Sequence, residues 1–332
     1  MRIAVDAMGG DYAPQEIIKG AVTAAVEEKI KVVLVGKENV VRSELGKYDY
    51  PSEYIEILDA PEVIEMDEHP AKAVRKKKNS SLVVATRLVK EGRAAAIVSA
   101  GNTGAQMAAA LFELGRLPGI ERPGIATVFP TPSGGKVLID SGANVDCSAS
   151  NLVQFAYLGS AYASQVLGIP DPRVALLNIG TEPTKGNEAV VAAFKALEKD
   201  DNINFWGNLE GRDFFTAEAD VIVCDGFVGN VVLKLTEGIV TTLFSLLREE
   251  IVKNPLRKLG GALVKPGFRE IFRKLDHTEY GGAPLLGVQG ISIICHGSSR
   301  AKSIYNALRY ARDAVENGFL EVVMKKLQVM AK

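Results

Sequence analysis

Apolar residues along this chain follow two alternating periods. Short, nearly continuous runs rich in Val and Ile mark strands over residues 3–6, 31–35, 54–58, 95–98, 125–129, 137–140, 174–178, 203–206, 221–224 and 291–295. Between them lie amphipathic, helix-length segments over 14–27, 82–90, 103–114, 151–167, 187–197, 230–250 and 300–317. Strands that are apolar throughout are covered on both faces. The alternation therefore predicts an α/β fold, a doubly wound and mostly parallel sheet with helices on either side. No repeat or Pro/Ser-rich linker divides the chain, which reads as one large domain over 1–332. The rhythm breaks once, between 230 and 275, where a long helix, a Gly/Pro-interrupted piece and a short second helix carry no strand pattern. That stretch, within an arm over 230–280, is either a dimerisation element or a plain surface insertion.

Composition narrows the class. The 332 residues are 47% apolar and 24% charged, a soluble globular mixture large enough for a substantial core. A net charge of −1 excludes a chain-wide basic footprint for nucleic acid. Uncharged stretches at 147–170 and 280–299 reach membrane length. The first carries four serines, an asparagine and two glutamines, and the second is broken by five glycines and a proline, so both read as buried core. Three widely spaced cysteines and an N-terminus that runs straight into a strand point to a reducing cytoplasm.

The chemistry gathers at strand ends. Strand 3–6 is followed by "DAMGGDYAP", 95–98 by "SAGNTGA", 137–140 by "DSGAN", 174–178 by "NIGTEPTKGN" and 221–224 by "CDGFVGN". One glycine loop after a strand is ordinary turn chemistry. Five on the carboxyl edge of an open sheet, rich in Asn, Thr and Ser, describe a crevice of N–H donors and helix N-termini suited to an anion. The fourth loop resembles a nucleotide P-loop but is not one, because Lys185 precedes Gly186 and Asn187 stands where a Mg²⁺-binding hydroxyl belongs.

Protein nucleophiles and metal ligands are sparse there. His69, His277 and His296 are scattered, and neither C-x-x-C nor G-x-S-x-G occurs, which argues against zinc or a serine nucleophile. Cys295 and His296 are adjacent, and in a continuing strand their side chains would face opposite ways. Asp6, Asp11, Asp140, Asp146 and Asp225 could hold Mg²⁺ or serve as loop and cap residues. Inorganic phosphate fits such a site as the nucleophile itself, since it needs positioning more than deprotonation. Lys185 would neutralise its oxygens, and Asn230 would donate to a developing oxyanion. Further crevice candidates are Asp6, Asp11, Ser141, Asn144, Asn178, Thr181, Asp225 and His296.

The blocks "DAMGGD", "SAGNTGA", "DSGAN", "NIGTEPTKGN", "CDGFVGN", "GGAPLLG" and "HGSS", spanning residues 6–299 in order, resemble the PlsX family of acyl-ACP:phosphate acyltransferases. The resemblance implies transfer of a fatty acyl group from acyl carrier protein (ACP) to phosphate, without a cofactor. It also implies a three-layer α/β fold like that of isocitrate dehydrogenase and phosphotransacetylase, in a homodimer. Carried over by position, Lys185 and Asn230 lead as catalytic residues, with Asn102, Thr103, Gly104, Gly186 and Asn187 around the phosphate. The alternatives are a phosphotransacetylase using acyl-CoA, a Mg²⁺-dependent hydroxy-acid dehydrogenase, acyl transfer through a cysteine thioester, or a non-catalytic membrane scaffold.

Residues 251–275 carry seven Lys/Arg against one Glu, interleaved with Leu256, Leu259, Leu263, Val264 and Phe268. Gly260, Gly261, Pro266 and Gly267 are expected to loosen this backbone into a flexible tip. Apolar residues ringed by cations suit an anionic membrane surface, making the protein cytoplasmic and peripherally membrane-associated. A dimer contact or an ACP-docking face would use the same residues. The basic run at 75–78 is either a solvated helix end or a second ACP-docking candidate.

Overall fold

The computed structural model describes residues 1–131, 134–275 and 281–330; His277 and the end of the expected arm lie outside them. The first half runs β1 (Arg2–Asp6), α1 (Gln15–Glu27), β2 (Lys31–Gly36), α2 (Glu38–Leu45), β3 (Ile55–Asp59), α3 (Pro70–Lys76), α4 (Ser81–Lys90), β4 (Ala96–Ser99) and α5 (Thr103–Ala109). The second continues with β5 (Gly124–Thr131), β6 (Gly134–Ile139), α6 (Ala149–Val166), β7 (Val174–Asn178), α7 (Glu188–Leu197), β8 (Phe205–Glu210) and β9 (Val221–Val223). Two long helices follow, α8 (Gly226–Val252) and α9 (Pro255–Leu275). The chain then returns through β10 (Ala283–Leu286), β11 (Ile291–Ile294), α10 (Ala301–Glu316) and α11 (Phe319–Met330).

Among the described residues, eleven strands form one sheet in the order β3-β2-β1-β4-β11-β10-β5-β6-β9-β7-β8. The three antiparallel pairings, β11–β10, β10–β5 and β5–β6, all sit in the middle. They reverse the strand direction, so β6, β9, β7 and β8 run opposite to β1, β2, β3, β4 and β11. Register then brings the two carboxyl edges together. Ala283 at the start of β10 pairs with Ile294 at the end of β11, and Leu285 pairs with Ile125, one residue before the Ala126↔Ile139 pair that ends β6. The active edges of both half-sheets therefore meet beside β10, a strand of four residues.

Strand alternation sorts the core into layers. Ile3, Val5, Val137, Ile139, Val174, Leu176, Val221 and Val223 pack beneath α1, α6, α7, α10 and α11. On the opposite face, Ala4, Val33 and Val35 meet α3, α4 and α5. There the second half-sheet has a thinner cover, in which Leu138, Ala175 and Ile222 contact Phe129, Phe214 and Leu233 of α8.

Two expectations change. The strand read at 203–206 lies at Phe205–Glu210, where β8 pairs with β7 alone at the sheet edge. Residues 255–275 form one continuous helix rather than a loosened tip, with Pro266 inside it. Gly261 assists the turn from α8, since a β-carbon there would fall 2.3 Å from Cγ2 of Ile251. Among the described residues, α8 is also the one helix long and apolar enough to cross a membrane, and its most apolar stretch has no buried residue.

Candidate active site

Two buried aspartates shape the edges that converge. Asp6, at the end of β1, is 2% exposed and accepts hydrogen bonds from the Met8 N–H (3.2 Å) and Ser99 Oγ (2.8 Å). Ser99 Oγ in turn receives the Gly101 N–H at 3.0 Å, tying the β1 and β4 loops together. Asp140, just past β6, takes five donors. Its Oδ1 accepts from the N–H groups of Ile125 (3.1 Å), Gly142 (3.1 Å) and Ala143 (2.9 Å). Its Oδ2 accepts from Asn144 N–H (2.7 Å) and Asn144 Nδ2 (2.8 Å). Burial raises both carboxyls from their ordinary value, and these hydrogen bonds, which favour the ionised form, offset part of that rise. Gly229 lets α8 dock on this loop, because a β-carbon would fall 1.9 Å from the Asp140 carbonyl oxygen.

Between the edges lies a cleft of about 440 Å³. Asp11, Thr103, Ser141, Asn230 and His296 line it, so the structure gathers five expected residues from five separate segments. Thr127, Ser299 and Ser303 add hydroxyls, while Ile125, Val128, Leu233 and Ile294 supply apolar wall. Ser141 Oγ is fixed by Thr127 Oγ1 (2.8 Å) and donates to the Ile125 carbonyl (3.1 Å).

Other expected residues spend their side chains on holding loops. Asn102 caps α5, accepting the Ala105 N–H at 2.9 Å, and donates to the carbonyls of Met66 (2.9 Å) and Glu68 (3.1 Å). Gly104 packs on Pro70, which a β-carbon would approach to 2.6 Å. Asn144 is buried and donates to the Pro123 carbonyl at 2.7 Å. Asp225 caps α8 through the Val228 N–H (2.8 Å), and Asn187 caps α7 through the Val190 N–H (2.9 Å). Asn178 closes its loop by donating to the Lys185 carbonyl at 2.9 Å. Gly186 follows with φ +99°, the left-handed region that favours glycine. Lys185 itself is solvent-exposed and is not among the residues lining the cleft. Its loop leaves β7 on the same sheet edge as the β6 and β9 loops. Thr181 lines a separate hollow with Trp206 and Asn208.

Lys234 and Glu237 were not legible as site residues. Lys234 lies one turn beyond Asn230 on α8, so both face the cleft. Its Nζ is 2.6 Å from Nε2 of His296, whose Nδ1 is 2.7 Å from Ser298 Oγ. The i, i+4 spacing from Asn230 was the available signal, but a polar helix position has no loop motif to mark it. Cys295 touches the cleft wall with burial pushing its thiol to about 12, and Cys147 is raised to about 11 for the same reason. Neither thiol is a thiolate at neutral pH. Among the described residues no group of three or more His, Cys, Asp or Glu is placed to hold a metal.

The family described as "Fatty acid synthesis protein" matches residues 1–322. A phosphate acyltransferase of Desulfitobacterium hafniense strain Y51 is 58% identical over 328 residues, covering 98% of this chain and 97% of its own. The phosphate acyltransferase of Pelotomaculum thermopropionicum is 56% identical, covering 99% and 95%. Among solved structures, a phosphotransacetylase from Streptococcus pyogenes superposes with a TM-score of 0.66 at 20% identity, covering 95% of this chain and 94% of that one. The EutD phosphotransacetylase of Staphylococcus aureus gives 0.63 at 17% identity, with the same coverage. At those identities the structures speak to the fold, which is the three-layer α/β arrangement expected from the sequence. The full-length relatives speak to descent: the chain belongs to the PlsX family of phosphate acyltransferases.

Proposed function

We propose that this protein transfers a fatty acyl group from acyl-ACP to inorganic phosphate, releasing an acyl phosphate for phospholipid synthesis. The observation that carries the reading is the likeness over nearly the whole chain, at 58% identity to one of them, to proteins named phosphate acyltransferase. The cleft is compatible with it, having hydroxyl and amide donors beside apolar wall. Phosphate would attack the thioester carbonyl, and Asn230 would donate to the oxyanion of the tetrahedral intermediate. Lys185 would neutralise the phosphate from its mobile-length side chain at the β7 loop. Thr103 and Gly104 would contribute first-turn N–H groups of α5, and Asn102, Gly186 and Asn187 the backbone at and just before the caps of α5 and α7, rather than their side chains. No cofactor enters this scheme.

The other partners follow from exposed faces. On α8, Phe227, Val231, Leu235, Ile239, Leu243 and Leu246 form an apolar stripe at helical spacing, fit for a second copy in a homodimer. On α9, Leu256, Leu259, Leu263 and Val264 are exposed beside basic residues, fit for an anionic membrane surface, while Phe268 is half-buried. A cytoplasmic, peripherally membrane-bound enzyme is the resulting picture.

Hydroxylamine trapping tests the reaction, with purified protein, acyl-ACP and phosphate, and Lys185→Ala alongside. Phosphate-dependent hydroxamate that disappears in the variant supports the assignment. Because the fold is shared with phosphotransacetylases, acyl-CoA is run in parallel; a clear preference for it would replace ACP as the donor.

A further inference from the structure

Breaking a thioester leaves a thiolate, and an alkyl thiolate departs more readily when it is protonated as the bond breaks. Among the described residues lining the cleft, Lys234 is the one lysine or arginine. Its Nζ lies 2.6 Å from Nε2 of His296 and 3.3 Å from Oε2 of Glu237. An imidazole nitrogen facing an ammonium at that distance accepts, which places the proton of His296 on Nδ1, toward Ser298 Oγ at 2.7 Å. In the other tautomer Nδ1 accepts the Ser298 N–H at 3.2 Å, a longer bond that is given up when the ammonium donates to Nε2. An ammonium has three protons. One is committed to His296 and one to Glu237, which leaves the third for the cleft. Asp11 and Glu237 are the carboxylates on the wall.

We propose that Lys234, positioned by His296, is the proton donor to the departing thiolate. The proposal rests on the acyl-transfer reading above. An oxygen of hydrogen phosphate adds to the thioester carbonyl, so a C–O bond forms. The C–S bond breaks and its electron pair stays on sulfur. Sulfur takes a proton from Lys234 Nζ, leaving a neutral amine held at His296. The phosphate hydroxyl becomes acidic once its phosphoryl group is acylated, and it returns a proton to that amine. Hydrogen phosphate dianion and thioester thus give acyl phosphate dianion and free thiol, with no net proton released. His296 is a positioning residue in this scheme, since it acts through Lys234.

The test uses the full-length protein and two donors of the same acyl chain: the alkyl thioester on ACP, and an aryl thioester whose thiol is far more acidic and needs no proton. Each variant is compared with wild type on the same donor by hydroxamate formation, and the KM for phosphate is measured for each. Lys234 has a side chain 48% exposed, so substitution there leaves the core intact. Lys234→Met is expected to lose roughly 100-fold in kcat with the alkyl donor, the low end of general-acid catalysis, and to be near wild type with the aryl donor. Lys234→Arg is expected to match Lys234→Met, because a guanidinium keeps its protons. His296→Gln is expected to show a smaller loss, of about 10-fold, with the same recovery on the aryl donor.

Equal losses with both donors would overturn the proposal. So would rescue by Lys234→Arg together with a raised phosphate KM in Lys234→Met, which would make Lys234 a phosphate-binding cation. Wild-type protein that forms no hydroxamate from either donor would instead sink the acyl-transfer reading, and this proposal with it.

Discussion

Replacing Asp140 with asparagine tests whether one buried carboxylate holds the cleft together. The carboxylate takes three donors on Oδ1 and two on Oδ2. Asparagine has one oxygen to offer, so its carbonyl can keep the three donors while its NH₂ faces the two from Asn144. Asn144 cannot relieve the clash by flipping its amide, because its Nδ2 also donates to the Pro123 carbonyl at 2.7 Å. Two hydrogen bonds to a charged group are lost, at about 1.5–3 kcal/mol each, for a total of roughly 3–6 kcal/mol. At about 2–4 °C per kcal/mol for a chain of this order, Tm should fall by roughly 10 °C. Function should fall too, because the Asn144 carbonyl accepts the Gly226 N–H (2.7 Å) at the head of the helix that carries Asn230. A displacement of about 1 Å there can cost on the order of 100-fold in rate. Calorimetry and hydroxamate formation on Asp140→Asn check both numbers. A stability loss below about 1 kcal/mol with unchanged turnover would refute the argument.

Other expectations are shorter to state. Asn230→Ala should lower kcat by about 100- to 1,000-fold at a nearly constant phosphate KM, the cost of removing one oxyanion donor; a change confined to KM would make it a binding residue instead. Leu263→Glu with Val264→Glu should abolish flotation with anionic liposomes, and undiminished binding would remove α9 as the anchor. Ile239→Glu should shift the protein to a monomer in analytical ultracentrifugation, whereas an unchanged state would place the dimer contact off the α8 stripe. Glu28 is held below its ordinary 4.5 first by its hydrogen bonds to Arg312 and Tyr305. A depressed carboxyl contributes stability above its unfolded pKa and loses it as pH falls through the folded one. The Tm gap between wild type and Glu28→Gln should therefore be full at neutral pH and close in acid, as pH falls below the ordinary 4.5 and through the lowered folded value; a gap that persists there would show that the charge is not its source.

Much of the fold was legible because buried strands write themselves as apolar runs. All ten expected strands exist, and eight keep both ends within about two residues, β6 starting three residues early and β8 ending four late. The missed strand, β10, has only "APLL" to show, with a proline inside it and glycines on either side. That four-residue strand reverses the sheet, so the convergence of the two carboxyl edges was hidden with it. The helices missed, α2, α3 and α11, are short or sit where polar residues blur the period. Gly260, Gly261, Pro266 and Gly267 read as breakers, yet α9 runs through them because its turns are continuous on both sides and Gly261 is wanted by the contact with Ile251. At the site, loop glycines and amides announced the crevice, but composition could not separate residues that line it from those that hold it up. Asn102, Asn144, Asn178 and Asn187 share a chemistry with Asn230 and differ from it only in what their amides already bond.

The helix α8 has two jobs that its sequence keeps on separate faces. Asn230, Lys234 and Glu237 recur at intervals of four and three residues and look into the cleft. Phe227, Val231, Leu235 and Ile239 recur every four residues and look away from it. At about 100° per residue, Val231 and Leu235 each sit roughly a quarter-turn from Asn230 and Lys234, the polar residues just before them, so the two stripes run side by side there. Only the first turns of α8 are anchored, by the Asp225 cap and the close approach of Gly229 to Asp140; the remaining length has no core beneath it. A rod fixed at one end transmits a shift of its free length to its base. Whatever covers the outer stripe therefore bears on where Asn230 and Lys234 stand at the cleft.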